Sequence, residues 1–443
     1  MRLSYRNRAY NGIMISRVRI NSALLPLLTI AMLVLQLIDP SKVWQAMLAA
    51  FGGALLISWL WARSLRDHLR LTREVRFTWA QVGDKLEEQF TLTNNGSVPA
   101  TWVEVVDHST LPDYSAARAI GVGNQETIKW RTNGLCSQRG VYVLGGTTLR
   151  SGDPLGIFTV EVVQPESVSM MVAPPVIPLP QVEVTPAGWL GDGRPRPNSP
   201  EQTINALTVH EYQQGEPLRQ IHWPTTARRN SLYTRVMESA PAHDWWIVLD
   251  AEENVQVGHD WESTLELGVI LAMSLADRGF RARHSVGLLA SGDQTVWLKP
   301  KHDDENHRMQ MTRALSMLKP GHLSLSDLLA RAGPTLGQRT SLIIITPSLN
   351  SDWLTPLTSL MWRGIIPTIL IMDPASFGSP NQADSFSEIL AQMGISRFIL
   401  NRSLLLQPEA RPGWRGQWDW RIMPTGKAVS RRPPGDLMWR KLK

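Results

Sequence analysis

Residues able to do chemistry crowd into one stretch, His210–Val236, which reads HEYQQGEPLRQIHWPTTARRNSLYTRV. Gly215 suits a positive φ and Pro217 fixes the chain as it leaves the turn. Leu218, Ile221 and Trp223 read as core-facing, with Arg219 and Arg228 set among them and Arg235 beyond. A planar guanidinium in such a place favours bidentate contact with carboxylates or carbonyls. Two uses follow: an ion-pair network that locks a domain entrance, or an active or partner-binding site. Arg219 and Arg228 are expected to be structural, with Glu216 and His222 as the exposed contacts. An enzymatic reading has Glu216, His222 and Asp250 converge in a cleft.

Elsewhere the signals are weaker. The sequence holds neither Gly-x-Ser-x-Gly nor His-Glu-x-x-His. Gly333–Thr340 is one residue short of a P-loop and has glutamine where the lysine belongs. His302 and His307 flank acids just ahead of an amphipathic helix, where acids serve as caps and dipole partners. Asp153, before Pro154, reads as a turn-forming residue.

The stretch from Tyr212 resembles the bacterial and archaeal proteins grouped as domain of unknown function 58 (DUF 58). The residues carrying the resemblance are Tyr212, Gly215, Glu216, Arg219, Ile221, His222, Trp223, Thr226, Ala227 and Arg228. His210 stands where that pattern often has arginine, and Gln214 where it often has proline. Arg139–Tyr142 and Asp153–Phe158 are similar to the same family, with Leu155 where phenylalanine is common. The resemblance implies a partner: such proteins commonly accompany AAA+ ATPases of the MoxR type, and often a transglutaminase-like membrane protein.

The elements that must position these residues change character along the chain. Ile20–Ile38 and Val43–Trp61 are two uncharged runs of spanning length, joined by Asp39-Pro40-Ser41-Lys42. Arginines precede the first run (Arg2, Arg6, Arg8, Arg17, Arg19) and follow the second (Arg63, Arg66, Arg70, Arg73), so both ends are expected in the cytosol. From Val75 to Ala173 short alternating runs and turns such as Asn94-Asn95-Gly96-Ser97 predict a β-sandwich. Residues 174–207 are proline-rich and predict a linker with no core. Beyond Trp245–Asp250 strands and helices alternate, which predicts a parallel sheet covered on both faces.

That order, with an antiparallel edge after the second strand, resembles a von Willebrand factor type A domain. The resemblance implies a metal site, yet the residues at its positions are degenerate: Asp250, Glu252 and Asn254 after the first strand, then Thr346 and Pro347 after the fourth. Magnesium prefers small oxygen donors in a near-octahedral array, so no metal is expected. No catalytic residue or cofactor is expected either.

The expected fold class is therefore multi-domain. An arginine-rich start and transmembrane α-hairpin (1–73) precede a β-sandwich (74–173) and a linker (174–207). An α/β, type A-like (Rossmann-like) domain (208–407) and a basic, tryptophan-bearing tail (408–443) complete it. The formal net charge is +6. The first 19 residues contribute +5 and the tail +6, leaving −5 between them. Basic ends around an acidic body point to a membrane surface rather than nucleic acid. One cysteine, Cys136, excludes an internal disulfide. The leading expectation is a membrane-anchored cytoplasmic scaffold for protein–protein interaction. A membrane-bound enzyme and a nucleic-acid-binding membrane protein are the alternatives.

Overall fold

A computed structural model describes residues 15–185, 202–212, 221–229, 231–239, 244–302, 304–337, 340–410, 420–422, 428–430 and 440–442. The chain forms two units, Met1–Pro174 with Arg411–Lys443, and Pro175–Ala410.

The first unit starts with strand β1 (Ile15–Ile20), helix α1 (Leu24–Ile38) and helix α2 (Lys42–His68). No side chain of α1 is buried, and α2 buries only Ser58, Ala62 and Leu65. At the helical rise α1 is about 22 Å long and α2 about 40 Å. Among the described residues α2 is the helix long and apolar enough to cross a bilayer, while α1 is a shorter apolar helix. Both differ from the sequence expectation at one end. Ile20 closes β1, paired with Phe158, instead of opening a helix. Helix α2 runs past Trp61, and its own Ala62 and Leu65 are fully buried there.

Strands β2 (Leu69–Val75), β3 (Trp79–Gln81), β4 (Lys85–Asn94), β5 (Ala100–Asp107), β6 (Arg118–Val122), β7 (Glu126–Leu135), β8 (Gly140–Gly152) and β9 (Phe158–Ala173) follow. They form two sheets. One has the order β1-β9-β8-β5-β6 with β3 on β9; the other joins residues 440–441, β2, β4 and β7. Alternation explains their inward faces: Leu86, Glu88, Phe90, Leu92 and Asn94 of β4 are all buried. Buried Asn94 holds the following turn, its side-chain amide donating to Val98 and Gly123 carbonyls at 2.8 and 2.9 Å.

The second unit begins by correcting the linker expectation over residues 175–185, while residues 186–201 lie outside the described residues. Ile177, Leu179 and Val182 are buried in its core, and Ile177 N donates to Ser274 Oγ at 3.0 Å. Proline lets this extended segment pack its apolar residues without owing ladder hydrogen bonds. A two-stranded ribbon, β10 (Gln202–Glu211) with β11 (Tyr233–Ser239), flanks helix α3 (Trp223–Arg229). After β12 (Trp245–Leu249) a two-residue hairpin, β13 (Gly258–His259) and β14 (Glu262–Ser263), leads into helix α4 (Thr264–Arg281). Then come β15 (Val286–Ser291), β16 (Thr295–Lys301), α5 (Glu305–Met317), α6 (Leu325–Ala332), β17 (Ser341–Thr346), α7 (Leu354–Trp362), β18 (Ile366–Met372), α8 (Asp384–Gln392) and β19 (Ser396–Leu400).

The sheet order is β16-β15-β12-β17-β18-β19, parallel except for β16. All five β12 residues are buried. Trp245, Ile247 and Leu249 enter a core with α4, while Trp246 and Val248 enter the opposite core with α6, α7 and α8. A strand covered on both faces must be apolar at every position, which is why WWIVL shows no alternation.

Candidate functional site

The first strand of this sheet, β12, connects through α4 to β15 on one side; the chain later returns to β17 on its other side. The carboxyl ends of strands at such a reversal form the crevice where open α/β sheets bind ligands. Asp250 follows β12 there, between Ser291 at the end of β15 and Thr346 at the end of β17. All three are fully buried.

Their polar atoms are satisfied internally. Thr346 Oγ1 donates to Asp250 Oδ2 at 2.6 Å, and Glu252 N donates to Asp250 Oδ1 at 3.1 Å. Ser348 N donates back to Thr346 Oγ1 at 2.9 Å, and Ala251 N donates to Ser291 Oγ at 2.9 Å. Gln256 Nε2 reaches the Asp250 carbonyl at 3.0 Å. Burial pushes the Asp250 carboxyl up to about 6; the Thr346 hydroxyl and the Glu252 N–H oppose that rise, and the Glu252 charge adds to it.

This donor set does not fit a magnesium site. Both Asp250 oxygens face protein donors, Pro347 supplies no carboxylate, and Glu253 and Asn254 lie exposed. Among the described residues no three His, Cys, Asp or Glu side chains are grouped to hold a metal ion. What the arrangement can do is hold a proton, because a neutral carboxyl suits a buried position with no cation bonded to it among the described residues.

The His210–Val236 stretch is only partly described: Gly215, Glu216 and Arg219 lie outside the described residues, as does Leu218. The rest shows how α3 is set. Buried Ile221 precedes half-buried His222, whose Nδ1 lies 2.7 Å from Thr225 Oγ1. His222 N donates to the Tyr233 carbonyl at 2.7 Å, and Tyr233 N donates to Thr226 Oγ1 at 3.0 Å. Tyr212 N donates to the Leu232 carbonyl at 2.8 Å, closing the ribbon. The Arg229 guanidinium lies over the Tyr233 ring at 5.6 Å.

Two expectations reverse here. Trp223 is 65% exposed rather than core-facing, and Arg228 is exposed, whereas His222 is half-buried and bonded. The seven-residue helix turns 222, 225 and 226 toward β11, so 223, 224, 227 and 228 must face outward. Among the described residues no hydrogen-bond partner of His222 is shared with Asp250, so these two do not meet through a common group.

The weaker candidates resolve into structural roles. Buried His307 sits edge-on to Phe280 with Nε2 2.7 Å from the Val286 carbonyl. Asp304 accepts from Asn306 N at the start of α5. The Gly333 carbonyl accepts from Arg363 Nη1 at 2.6 Å, and Gly333–Thr335 forms a single 3-10 turn directly after α6.

A second polar centre, in the first unit, escaped the sequence reading. Arg73 Nε and Nη2 donate to the two Glu88 oxygens at 2.9 and 2.6 Å, and Nη1 donates to Asp107 Oδ1 at 2.7 Å. Tyr114 OH donates to Glu88, Ser109 Oγ to Asp107 Oδ1 at 2.8 Å, and Ala116 N to Asp107 Oδ2 at 2.9 Å. Its signal was present in the alternation. Arg73 falls in register with inward Leu69, Leu71 and Val75, and Glu88 lies between inward Leu86 and Phe90.

With this geometry in place, comparison with known proteins is informative. Residues 208–384 match the family model described as protein of unknown function DUF58. The match covers the end of β10, α3, β11 and the sheet through β18. Uncharacterized proteins of Mycobacterium tuberculosis and Mycobacterium bovis are 22% identical over 178 residues, 39% of this chain. That alignment spans 56% of those relatives, a little over half their length. Among solved structures, a von Willebrand factor type A protein from Catenulispora acidiphila gives a TM-score of 0.27 at 12% identity. It covers 42% of this chain and 46% of that one. A CARDB domain from Pyrococcus furiosus, solved with two metal ions, gives a TM-score of 0.18 at 13% identity, covering 24% and 94%.

Proposed function

We propose that the chain is a membrane-anchored scaffold whose Pro175–Ala410 unit docks another protein from the cytoplasmic side. The observation carrying this reading is the outward face of α3 within the DUF58 match. Trp223 is 65% exposed and Arg228 lies exposed beside it, while bonds from His222 and Thr226 to Tyr233 hold the helix. Tryptophan and arginine are the residues that dominate binding energy at interfaces when a partner covers them. The partner we assign is a MoxR-type AAA+ ATPase, on the strength of the family resemblance.

In this reading α1 and α2 are two spans of one hairpin and the two sheets after them form a β-sandwich. A short span beside a long one is accommodated by local thinning and by tilt of the longer helix. Arginines flanking the pair place both ends in the cytosol. Asp250 is a buried acid at the strand ends of a type A-like domain.

Two measurements test the proposal. Reporters fused after Lys443 should be active when they require the cytosol and silent when they require the exterior; the reverse pattern overturns the topology. Trp223→Ala and Arg228→Ala, in the detergent-solubilised chain, should melt as the parent does yet lose the ATPase in a pull-down. Retained capture by both variants would refute α3 as the docking face.

A further inference from the structure

The strand ends at one edge of the first unit converge on a short apolar loop that neither the scaffold reading nor the buried ion pair uses. Residues 154–156 (Pro-Leu-Gly) are exposed between buried Asp153 and buried Ile157 and Phe158. The loop is held rigid. Asp153 Oδ1 accepts from Phe158 N at 2.6 Å and Oδ2 from Leu155 N at 3.0 Å, and Gly156 N closes on the Asp153 carbonyl at 3.1 Å. Gly156 takes φ +69°, a conformation that keeps the turn tight without a side-chain clash. The fixed point of all this is Leu155, 62% exposed.

A lone exposed leucine is unremarkable on a protein surface. Its neighbours make the difference. Asn21 N donates to the Ile157 carbonyl at 2.7 Å and Asn21 Nδ2 to the Gly156 carbonyl at 3.4 Å. Two residues after Ser22, helix α1 begins at Leu24, itself 66% exposed. Ile20, 62% exposed, pairs with Phe158 in the ladder. Trp102 is 42% exposed, and a Cβ built on Gly152 would lie 3.2 Å from its Cζ2. Leu155, Ile20 and Trp102 thus gather where the chain enters α1.

We infer that the Asp153–Phe158 loop is a lipid contact: Leu155 inserts at the boundary between headgroups and acyl chains, with Trp102 and Ile20 beside it. The inference rests on α1 and α2 lying in a bilayer, and the loop extends that interface without a break. A tip already fixed by Asp153 loses little freedom on insertion, and an indole is suited to the same depth. The two sheets are then seated on the membrane surface rather than swinging from a helix end.

The test uses the full chain reconstituted in phosphatidylcholine vesicles, with a polarity-sensitive dye on one introduced cysteine at a time and a phospholipid nitroxide as quencher. Cys136 is buried, and the unsubstituted chain controls for dye uptake. Leu155→Cys should shift to the blue and be quenched, as should Leu33→Cys in α1. Glu166→Cys, on the exposed stretch of β9 well along from Phe158, should do neither. Quenching at 33 but not at 155 overturns the loop contact and leaves the membrane reading standing. No quenching at 33 overturns both. A blue shift at 155 without lipid quenching means a protein covers it, and quenching at 166 means contact without selectivity; either result overturns the inference.

Discussion

Carboxylates are buried in both units, but in different company. In the first, Glu88 and Asp107 share the Arg73 guanidinium and take further donors from Tyr114, Ser109 and Ala116. In the second, Asp250 has a hydroxyl and a backbone N–H, and among the described residues no cation is bonded to it. The consequences run in opposite directions. Burial works against ionised Asp107, yet the Arg73 charge holds its carboxyl below the usual range. Burial dominates at Asp250 and pushes it up to about 6. At Asp250 the hydrogen bonds to the charged form do not offset its burial, whereas at Asp107 a counter-charge joins them.

The largest effect should come from breaking the paired site. Arg73→Ala leaves two carboxylates buried without their cation, a change that costs on the order of 3–5 kcal/mol. Hydrogen exchange followed peptide by peptide separates the two units, which a global melt would blend. Protection should collapse across β2 and β4 and survive in β12 and β17. Equal loss in both units would mean that the two sites are not energetically independent.

A middle-sized effect should come from pH, and its sign differs between the sites. Asp107 binds its proton more weakly folded than unfolded, so its stabilisation is present above the unfolded pKa and fades as pH falls through the folded value. Asp250 binds its proton more tightly folded than unfolded. Its contribution is complete below the ordinary value of 3.8 and is lost as pH rises toward about 6. The gap corresponds to about 3 kcal/mol against the folded state at neutral pH. Between those values protection of β12 should fall as pH rises, after correction for the intrinsic exchange rate. Asp250→Asn should flatten that dependence and raise protection at pH 7. An unchanged profile in the variant would show that Asp250 does not titrate in this window.

The two sites also differ in how far the sequence exposed them. Asp250 was visible because an acid directly follows WWIVL, and strand ends collect functional groups in parallel sheets. In the sequence Arg73 looks like a positive flank of a membrane helix, since arginines after an apolar run carry that meaning. Helix α2 instead continues to His68 and β2 carries Arg73 inward, so one arginine among Arg63, Arg66, Arg70 and Arg73 belonged to a different pattern. Period-2 alternation says which residues of a strand share a face but nothing about which of them meet across sheets. The same limit applies at Trp223, where apolar character suggested burial and the seven-residue helix turned it outward. Ile177, Leu179 and Val182 were hidden by the prolines around them, because composition reports a lack of regular structure, not a lack of packing.

The smallest predicted effect sharpens the comparison most, because it alters the hydrogen bond without touching either charge. Thr346 Oγ1 donates to Asp250 Oδ2 and accepts from Ser348 N. Thr346→Val keeps the shape and removes both roles, at a cost of about 1–3 kcal/mol where a buried partner is left unsatisfied. The lost donor favoured the charged carboxylate, so the Asp250 midpoint should move above about 6. Thr346→Ser retains the hydroxyl and should leave that midpoint in place. In the Asp250→Asn background the carboxylate is gone, and Thr346→Val should cost less than in the parent. The difference is the coupling between the two groups. Additive costs with an unmoved midpoint would show that this hydroxyl does nothing for the charge, leaving burial and the Glu252 contacts to govern Asp250.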